Sequence, residues 1–159
     1  MKVSTLALVA LLGLGACQKS AVAPNVEHGD STAVFDQEFA LYYRQQAMLP
    51  AAAGPELTVQ VEELYTSYCP EEARCIVSTA AWPTLRITDQ QGQSQQVKLP
   101  ANRPAVFTPA FLDTTSVQAN GRRYLLTYTR WNLDRTPPRG GYPAKHDYTV
   151  SLRVSKPAQ

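Results

Sequence analysis

The sequence has few of the residues that build metal, nucleotide and nucleophile sites. Its 159 residues include three cysteines and two histidines, His28 and His146. It contains no C-x-x-C pair and no glycine-rich phosphate loop. A G-x-S-x-G nucleophile motif is also missing. From these absences we expect no metal site, no cofactor and no catalytic residues.

The chain also lacks a charge excess of either sign. It has 15 Lys and Arg residues against 13 Asp and Glu residues, a formal net charge of +2. A nucleic-acid-binding domain would usually show a clustered basic face. Arg130, Arg135 and Arg139 fall close together, but Asp134 lies among them, which is more typical of a solvated surface. The sequence therefore predicts no nucleic-acid partner.

Long apolar runs are limited to one segment, Val3 to Leu14. It is too short to span a bilayer, which needs about 20 apolar residues. A lysine precedes it and small residues follow it, which is the pattern of a secretory signal. We therefore expect residues 1–16 to be a signal peptide.

The end of this segment, Leu14-Gly15-Ala16-Cys17, resembles the lipobox of bacterial lipoproteins. The resemblance implies cleavage before Cys17, which would become the mature N-terminus and carry acyl chains such as palmitate. Several acyl chains anchor a protein stably, whereas one chain anchors it only marginally. Gln18 is not the Asp that retains many lipoproteins at the inner membrane, so an outer-membrane location is favoured in a cell with two membranes. The alternative is an ordinary signal peptide with Cys17 incidental.

Two further cysteines, Cys69 and Cys75, are separated by five residues. In the oxidising compartment that an export signal implies, a nearby pair is expected to form a disulfide. The C-x5-C spacing matches neither the C-x-x-C redox motif nor a zinc knuckle. A metal or redox site is the competing interpretation.

The rest of the chain predicts strands. Residues 17–32 are small and polar and are expected to form a flexible lipidated tether, followed by a single domain over 33–159. Period-two alternation predicts half-buried strands. They lie around residues 39–43, 57–62, 85–88, 97–99, 114–118, 123–131 and 148–154.

Two features refine this interpretation. Asn120-Gly121 favours a tight hairpin turn, because both central residues of such a turn need positive φ. Apolar residues on both faces of 123–131 indicate a central strand. A helix over Gln37 to Leu49 is the alternative for that segment. About seven short strands predict an all-β fold, an antiparallel β-sandwich that is plausibly immunoglobulin-like.

The mature region also resembles a group of small bacterial lipoproteins of uncharacterised function. The resemblance rests on Phe39-Ala40-Leu41, on the element from Tyr65 to Ile76 that holds both cysteines, and on the strand from Tyr148 to Val154. Tyr68 stands where an arginine is common in that group, and Ser78-Thr79-Ala80 replaces a stretch that is often Trp-Ala-Gly. The resemblance brings no activity with it.

Acidic pairs and the histidine do not predict catalysis. Glu62 and Glu63 are neighbours in a predicted strand, so their side chains point to opposite faces. Glu71 and Glu72 lie between the cysteines and are expected to be solvated. His146-Asp147 precedes the last predicted strand without a placed serine.

Two proline-rich segments are the candidates for binding. Residues 131–143 carry aromatic and arginine side chains, which are the usual anchors of recognition surfaces. The second segment, 100–111, is also proline-rich. If both lie at one end of the sandwich, they would form a composite site. The candidate binding residues are Trp131, Arg135, Arg139, Tyr142 and Phe107.

The competing interpretation of residues 131–143 is a wide connection with Trp131 and Tyr142 packed on the sandwich edge. The sequence as a whole predicts a membrane-anchored, non-catalytic binding or accessory module of the cell envelope. Its partners would be the membrane, through the lipid anchor, and an envelope protein or polymer. An envelope inhibitor that blocks a hydrolase with its proline-rich loops is the alternative function, and an unrecognised hydrolase is a third.

Overall fold

A computed structural model describes residues 28–50, 54–100 and 113–156 as two packed β-sheets. Cys17 and Phe107 lie outside the described residues. The described strands are β1 (Ser31–Thr32), β2 (Glu38–Tyr42), β3 (Gln46–Leu49), β4 (Leu57–Ser67), β5 (Ala80–Asp89), β6 (Ser94–Lys98), β7 (Asp113–Ala119), β8 (Arg122–Leu133) and β9 (Tyr148–Ser155). A single 3₁₀ turn, Lys145–Asp147, precedes β9.

The all-β sandwich predicted from the sequence is confirmed. One sheet has the order β1-β3-β4-β5-β6 and the other has the order β2-β9-β8-β7. All seven predicted strands are present, and two more, β1 and β3, bring the described total to nine. Most neighbouring strands in the two sheets are also consecutive in the chain, and an immunoglobulin-like topology stays a prediction. The antiparallel prediction fails only at β1, which pairs with β3 in parallel.

The β7–β8 hairpin follows the predicted turn chemistry. Ala119 pairs with Arg122, and the two residues between them, Asn120 and Gly121, have φ values of 51° and 70°. Positive φ at both central positions gives a turn whose twist matches that of the strands. β8 then continues as an inner strand between β7 and β9, as the apolar residues on both its faces predict.

The core lies between the sheets and is built from alternate residues of the long strands. Leu152 at the centre of β9 is fully buried, and it pairs in register with Phe39 of β2 and Tyr128 of β8. The Tyr128 hydroxyl crosses the core and donates a hydrogen bond of 2.8 Å to the carbonyl oxygen of Ala81 in the opposite sheet. Burial raises the pKa of this phenol, so it remains a neutral donor.

The strand directions define two ends of the sandwich. β4 ends where β9 begins, and the Tyr148 hydroxyl hydrogen-bonds the carbonyl oxygen of Ser67 there at 3.4 Å. We call this the loop end, because the β4–β5 and β8–β9 connections both leave from it. The opposite end holds the β7–β8 turn and is called the hairpin end.

The described structure includes the last residues of the segment that the sequence assigns to the tether. Residues 28–32, which the sequence assigns to the tether, lie within the described structure, and Ser31 and Thr32 pair with Ala47 and Met48 of β3. The Ser31 hydroxyl donates to the Gln46 carbonyl oxygen at 3.2 Å. These contacts are made by main-chain and polar groups, so hydrophobic periodicity does not reveal them.

A partly buried carboxylate ties the strands together at the hairpin end. Glu56 accepts a hydrogen bond from the Tyr124 hydroxyl and one of 2.6 Å from Lys156 Nζ. Arg122 lies 3.6 Å from the same carboxylate. Partial burial alone would raise the pKa of Glu56, but the hydrogen bonds and the two cations outweigh it and lower the pKa.

This network predicts how stability depends on pH. A carboxyl group with a lowered pKa in the folded state stabilises the fold above its unfolded pKa, and it loses that contribution as pH falls through the folded pKa. We expect Glu56→Gln to be less stable than the wild type near pH 7, with the difference shrinking as the pH falls below the ordinary range of a glutamate carboxyl and through the lowered pKa of Glu56. Urea unfolding at several pH values measures this. A difference that stays constant down to the lowest pH would contradict it, and Glu71→Gln in the β4–β5 connection is the control.

Candidate functional site at the loop end

The loop end brings together two connections that are far apart in sequence. They are the β4–β5 connection, which holds both cysteines, and the β8–β9 connection. The rings of Tyr68 and Tyr142 meet edge to face with centroids 6.3 Å apart. Arg139 Nη2 lies 3.5 Å from Glu72 Oε2. The two connections therefore contact each other through a pair of tyrosine rings and a solvent-exposed ion pair.

The β4–β5 connection is closed by a disulfide bond, as the cysteine spacing predicts. Cys69 and Cys75 are joined, with their Cα atoms 5.9 Å apart. Below the bridge, the Thr79 hydroxyl accepts from the Cys69 amide at 3.0 Å and donates to its carbonyl oxygen at 3.2 Å. The Ala73 amide donates to the Pro70 carbonyl oxygen at 3.0 Å and forms a turn inside the ring. The loop is thus held at its base and within its ring.

Removing this disulfide is expected to lower stability modestly. Cross-linking so short a loop restrains the unfolded chain by about 2 kcal/mol. We expect the Cys69→Ser, Cys75→Ser double variant to lose about that much free energy of unfolding in urea. Glu71→Ser, in the same loop, is the matched control and should be close to the wild type. If the double variant has the same free energy of unfolding as the wild type, the Thr79 contacts alone order the loop.

The β8–β9 connection has a fixed tip and a closed base. Gly140, with φ of +79°, sits in a turn that the Gly141 amide closes on the Pro138 carbonyl oxygen at 2.8 Å. A non-glycine residue would be strained at that φ. At the base, the Asp134 amide donates to the Asp147 carbonyl oxygen at 2.8 Å. Residues 135–146 are therefore a braced loop that presents its tip outward.

Apolar side chains are exposed at these tips. Tyr142 is 81% exposed, and Ile76 is fully exposed. Val77 is exposed beside Ile76, and Tyr68 stands half-buried against Tyr142. We call the side chains of Tyr68, Ile76, Val77 and Tyr142 the loop surface. Large apolar side chains held outward on braced loops are typical of a contact surface.

The predicted binding residues lie in different environments in the structure. Trp131 belongs to β8 and packs, partly buried, against the core, with its ring centroid 6.3 Å from that of Tyr148. It therefore follows the alternative interpretation, packing on the sandwich. Tyr142 and Arg139 lie at the loop tip, whereas Arg135 lies at the base with its Nε 3.9 Å from Asp147 Oδ1. The structure tests neither Phe107 nor the composite site with residues 100–111.

A small polar cleft lies at the base of the β8–β9 connection. It has a volume of about 130 Å³ and is lined by His28, Tyr42, Asp134, Arg135, His146 and Asp147. The His28 and Tyr42 rings stack with centroids 3.5 Å apart. Burial raises the pKa of Tyr42, and the charge of Asp134 together with its hydrogen bond raises it further.

The polar groups of this cleft serve mainly to hold the chain. Asp147 Oδ2 accepts from the Ala144 amide at 2.8 Å, and its other oxygen lies 3.6 Å from His146 Nε2. Tyr42 stacks against the ring of His28, and its hydroxyl hydrogen-bonds with Asp134. Asp147 therefore closes the 3₁₀ turn before β9, and His146 lies beside its carboxylate.

The acidic neighbours in β4 also have separate structural partners. A bulge falls between Val61 and Glu63. Glu62 pairs with Arg86 on the outer face of its sheet, and Glu63 pairs with Lys145 near the loop end. Glu62 and Glu63 thus have different ion-pair partners.

Several residues of the loop end are not among those predicted from the sequence. Sequence reasoning placed His28 in the tether, and it did not count Tyr68, Ile76 or Val77 among the binding residues. One signal was present in the sequence. Ile76-Val77 is an apolar pair that directly follows a half-cystine and belongs to no alternating strand pattern.

Within the residues that the structure describes, no cluster of three or more His, Cys, Asp or Glu side chains is arranged to hold a metal ion. None of the described helices has the length and apolar character needed to cross a membrane. The chain matches no protein-family model, and neither a curated protein nor a solved structure shows significant similarity to it.

Proposed function

We propose that this protein is a lipid-anchored, non-catalytic accessory module of the cell envelope that makes contact through the loop surface. The anchor is the acylated Cys17 that the Leu14-Gly15-Ala16-Cys17 motif implies. In a cell with two membranes, Gln18 favours the outer membrane. The folded domain then presents its braced loops to another component of the envelope.

The observation that carries the proposal is the exposure of Ile76 and Tyr142 on braced loops that contact each other. Covering an exposed aliphatic side chain lowers the free energy, because it removes apolar surface from water. The disulfide, the Gly140 turn and the Tyr68 contact reduce the entropy that ordering these tips on contact would cost. A non-catalytic role is supported by the cleft beside them, whose polar groups hold the loop base.

The proposal is tested by incorporating a photo-crosslinking amino acid into the protein in living cells. At Tyr142 it is expected to give covalent adducts with an envelope component, because that side chain is covered in the working state. The matched control is Leu125 of β8, an apolar residue near the hairpin end that is 37% exposed. The same amino acid at Leu125 should give few adducts. Equal yields at the two positions would show that the loop surface is not the contact surface.

A further inference from the structure

The chain enters the described domain at the loop end. His28 is the first described residue, and its ring stacks on that of Tyr42, the last residue of β2. The same cleft includes Asp134 and Arg135, which directly follow β8. The segment that leads back to Cys17 therefore joins the sandwich at the end that carries the loop surface.

The length of that segment limits how the domain can face a membrane. Ten residues lie between Cys17 and His28, and even a fully extended chain of that length reaches at most about 40 Å. The sandwich itself is nearly as long, because the twelve residues of β8 extend over roughly 36 Å. The hairpin end could meet a bilayer at Cys17 only if the segment ran fully extended along the whole sandwich. Any shorter path brings the loop end closer to the bilayer than the hairpin end.

We infer that the loop surface rests on the phospholipid bilayer that carries the lipid anchor, with Ile76 and Tyr142 in the headgroup region. This inference depends on the proposed function, because it requires an acylated Cys17. Tyrosine is enriched at membrane interfaces, where its ring is buried and its hydroxyl stays hydrated. An aliphatic side chain beside it adds apolar area that only the acyl boundary would cover.

The shape of the loop surface favours a bilayer over a protein partner. Its apolar groups are a few protruding tips, whereas a stable protein interface uses about 20–30 residues on each side. Tips that protrude from two loops can enter a soft interfacial layer without a matching pocket.

The charges of the loop end are balanced, so the contact is apolar in origin. Arg139 faces Glu72, and Lys145 pairs with Glu63. A surface of this kind is not drawn to anionic lipids by a net positive field. Contact is therefore expected even in membranes that contain only zwitterionic lipid, and added salt should change the extent of contact little.

Fluorescence quenching by lipid tests this inference on the full acylated protein. The native thiols are occupied, because Cys69 and Cys75 form a disulfide and Cys17 is acylated under the proposed function. A Tyr142→Cys variant therefore takes an environment-sensitive dye at one position. In phosphatidylcholine vesicles with a spin label near the headgroup, we expect fluorescence to fall at least about twofold. The dye on a Leu125→Cys variant should be unaffected, and Ile76→Cys gives a second test if Tyr142→Cys folds poorly.

The outcomes separate this inference from the proposed function. An intact mass of the same sample establishes whether Cys17 is acylated. If it is acylated and the dyes at both tips stay unquenched, membrane contact by the loop surface is overturned while the anchored module stands. The same conclusion follows if quenching at the tips equals that at Leu125. Loss of quenching on adding salt would contradict the apolar origin of the contact. If Cys17 carries no acyl chain, the anchoring itself fails, and the inference fails with it.

Discussion

Substituting Cys17 by serine is expected to move the protein from the membrane fraction to the soluble fraction. Each buried methylene of an acyl chain contributes about 0.8 kcal/mol to membrane binding, so losing several chains removes nearly all of the affinity. The few apolar tips of the loop surface would not hold the domain without the anchor. Fractionation of cells that express the variant, followed by detection of the protein in each fraction, measures this.

The control separates the loss of a thiol from the loss of the anchor. The Cys69→Ser, Cys75→Ser double variant also lacks thiols, but it keeps Cys17 and should stay with the membrane. A Cys17→Ser variant that remains membrane-bound, with its signal removed, would show that acylation is not what holds the protein there.

The largest effect on stability is expected from Leu152→Ala in the inner strand β9. Leu152 is fully buried between its partners Phe39 and Tyr128. Truncating a buried leucine costs about 2–5 kcal/mol, because apolar contact is lost and a cavity remains. That is a large part of the roughly 5–15 kcal/mol that stabilises a typical domain. Urea unfolding followed by tyrosine and tryptophan fluorescence measures the change.

Arg153→Ala is the matched control for this variant. Arg153 is the next residue of β9 and its side chain is exposed on the outer face, so its truncation should change stability by no more than about 0.5 kcal/mol. A loss below about 1 kcal/mol for Leu152→Ala would contradict the close packing of the two sheets at this point.

The strands that sequence could predict are those in which side-chain alternation agrees with strand propensity. β9 has alternating Tyr148, Val150 and Leu152, which are strand-forming or apolar residues. β3 is Gln-Ala-Met-Leu, and these residues favour helices. Its pairing with β4 overrides that preference, and the helix considered for residues 37–49 is replaced by β2, a turn and β3. Pairing between distant segments is not visible in local propensity.

The candidate site was predictable to a similar degree. The disulfide was predicted from the closeness of Cys69 and Cys75 in sequence and from the oxidising compartment that a signal peptide over residues 1–16 would imply. Residues 131–143 were singled out for their aromatic and arginine content, but composition did not distinguish Trp131, which packs on the core, from Tyr142, which protrudes. That distinction depends on where β8 ends, and the meeting of two distant loops depends on the strand order.

The proposed function requires that an acylated Cys17 anchors an oxidised, folded module. The most direct test is the intact mass of the protein isolated from its native membranes, measured before and after reduction. We expect acyl chains at Cys17 and a gain of two hydrogen atoms on reduction, from the Cys69–Cys75 bond. An unmodified Cys17 together with free thiols at Cys69 and Cys75 would contradict it, and would reopen those two thiols and His146 as a metal or redox site.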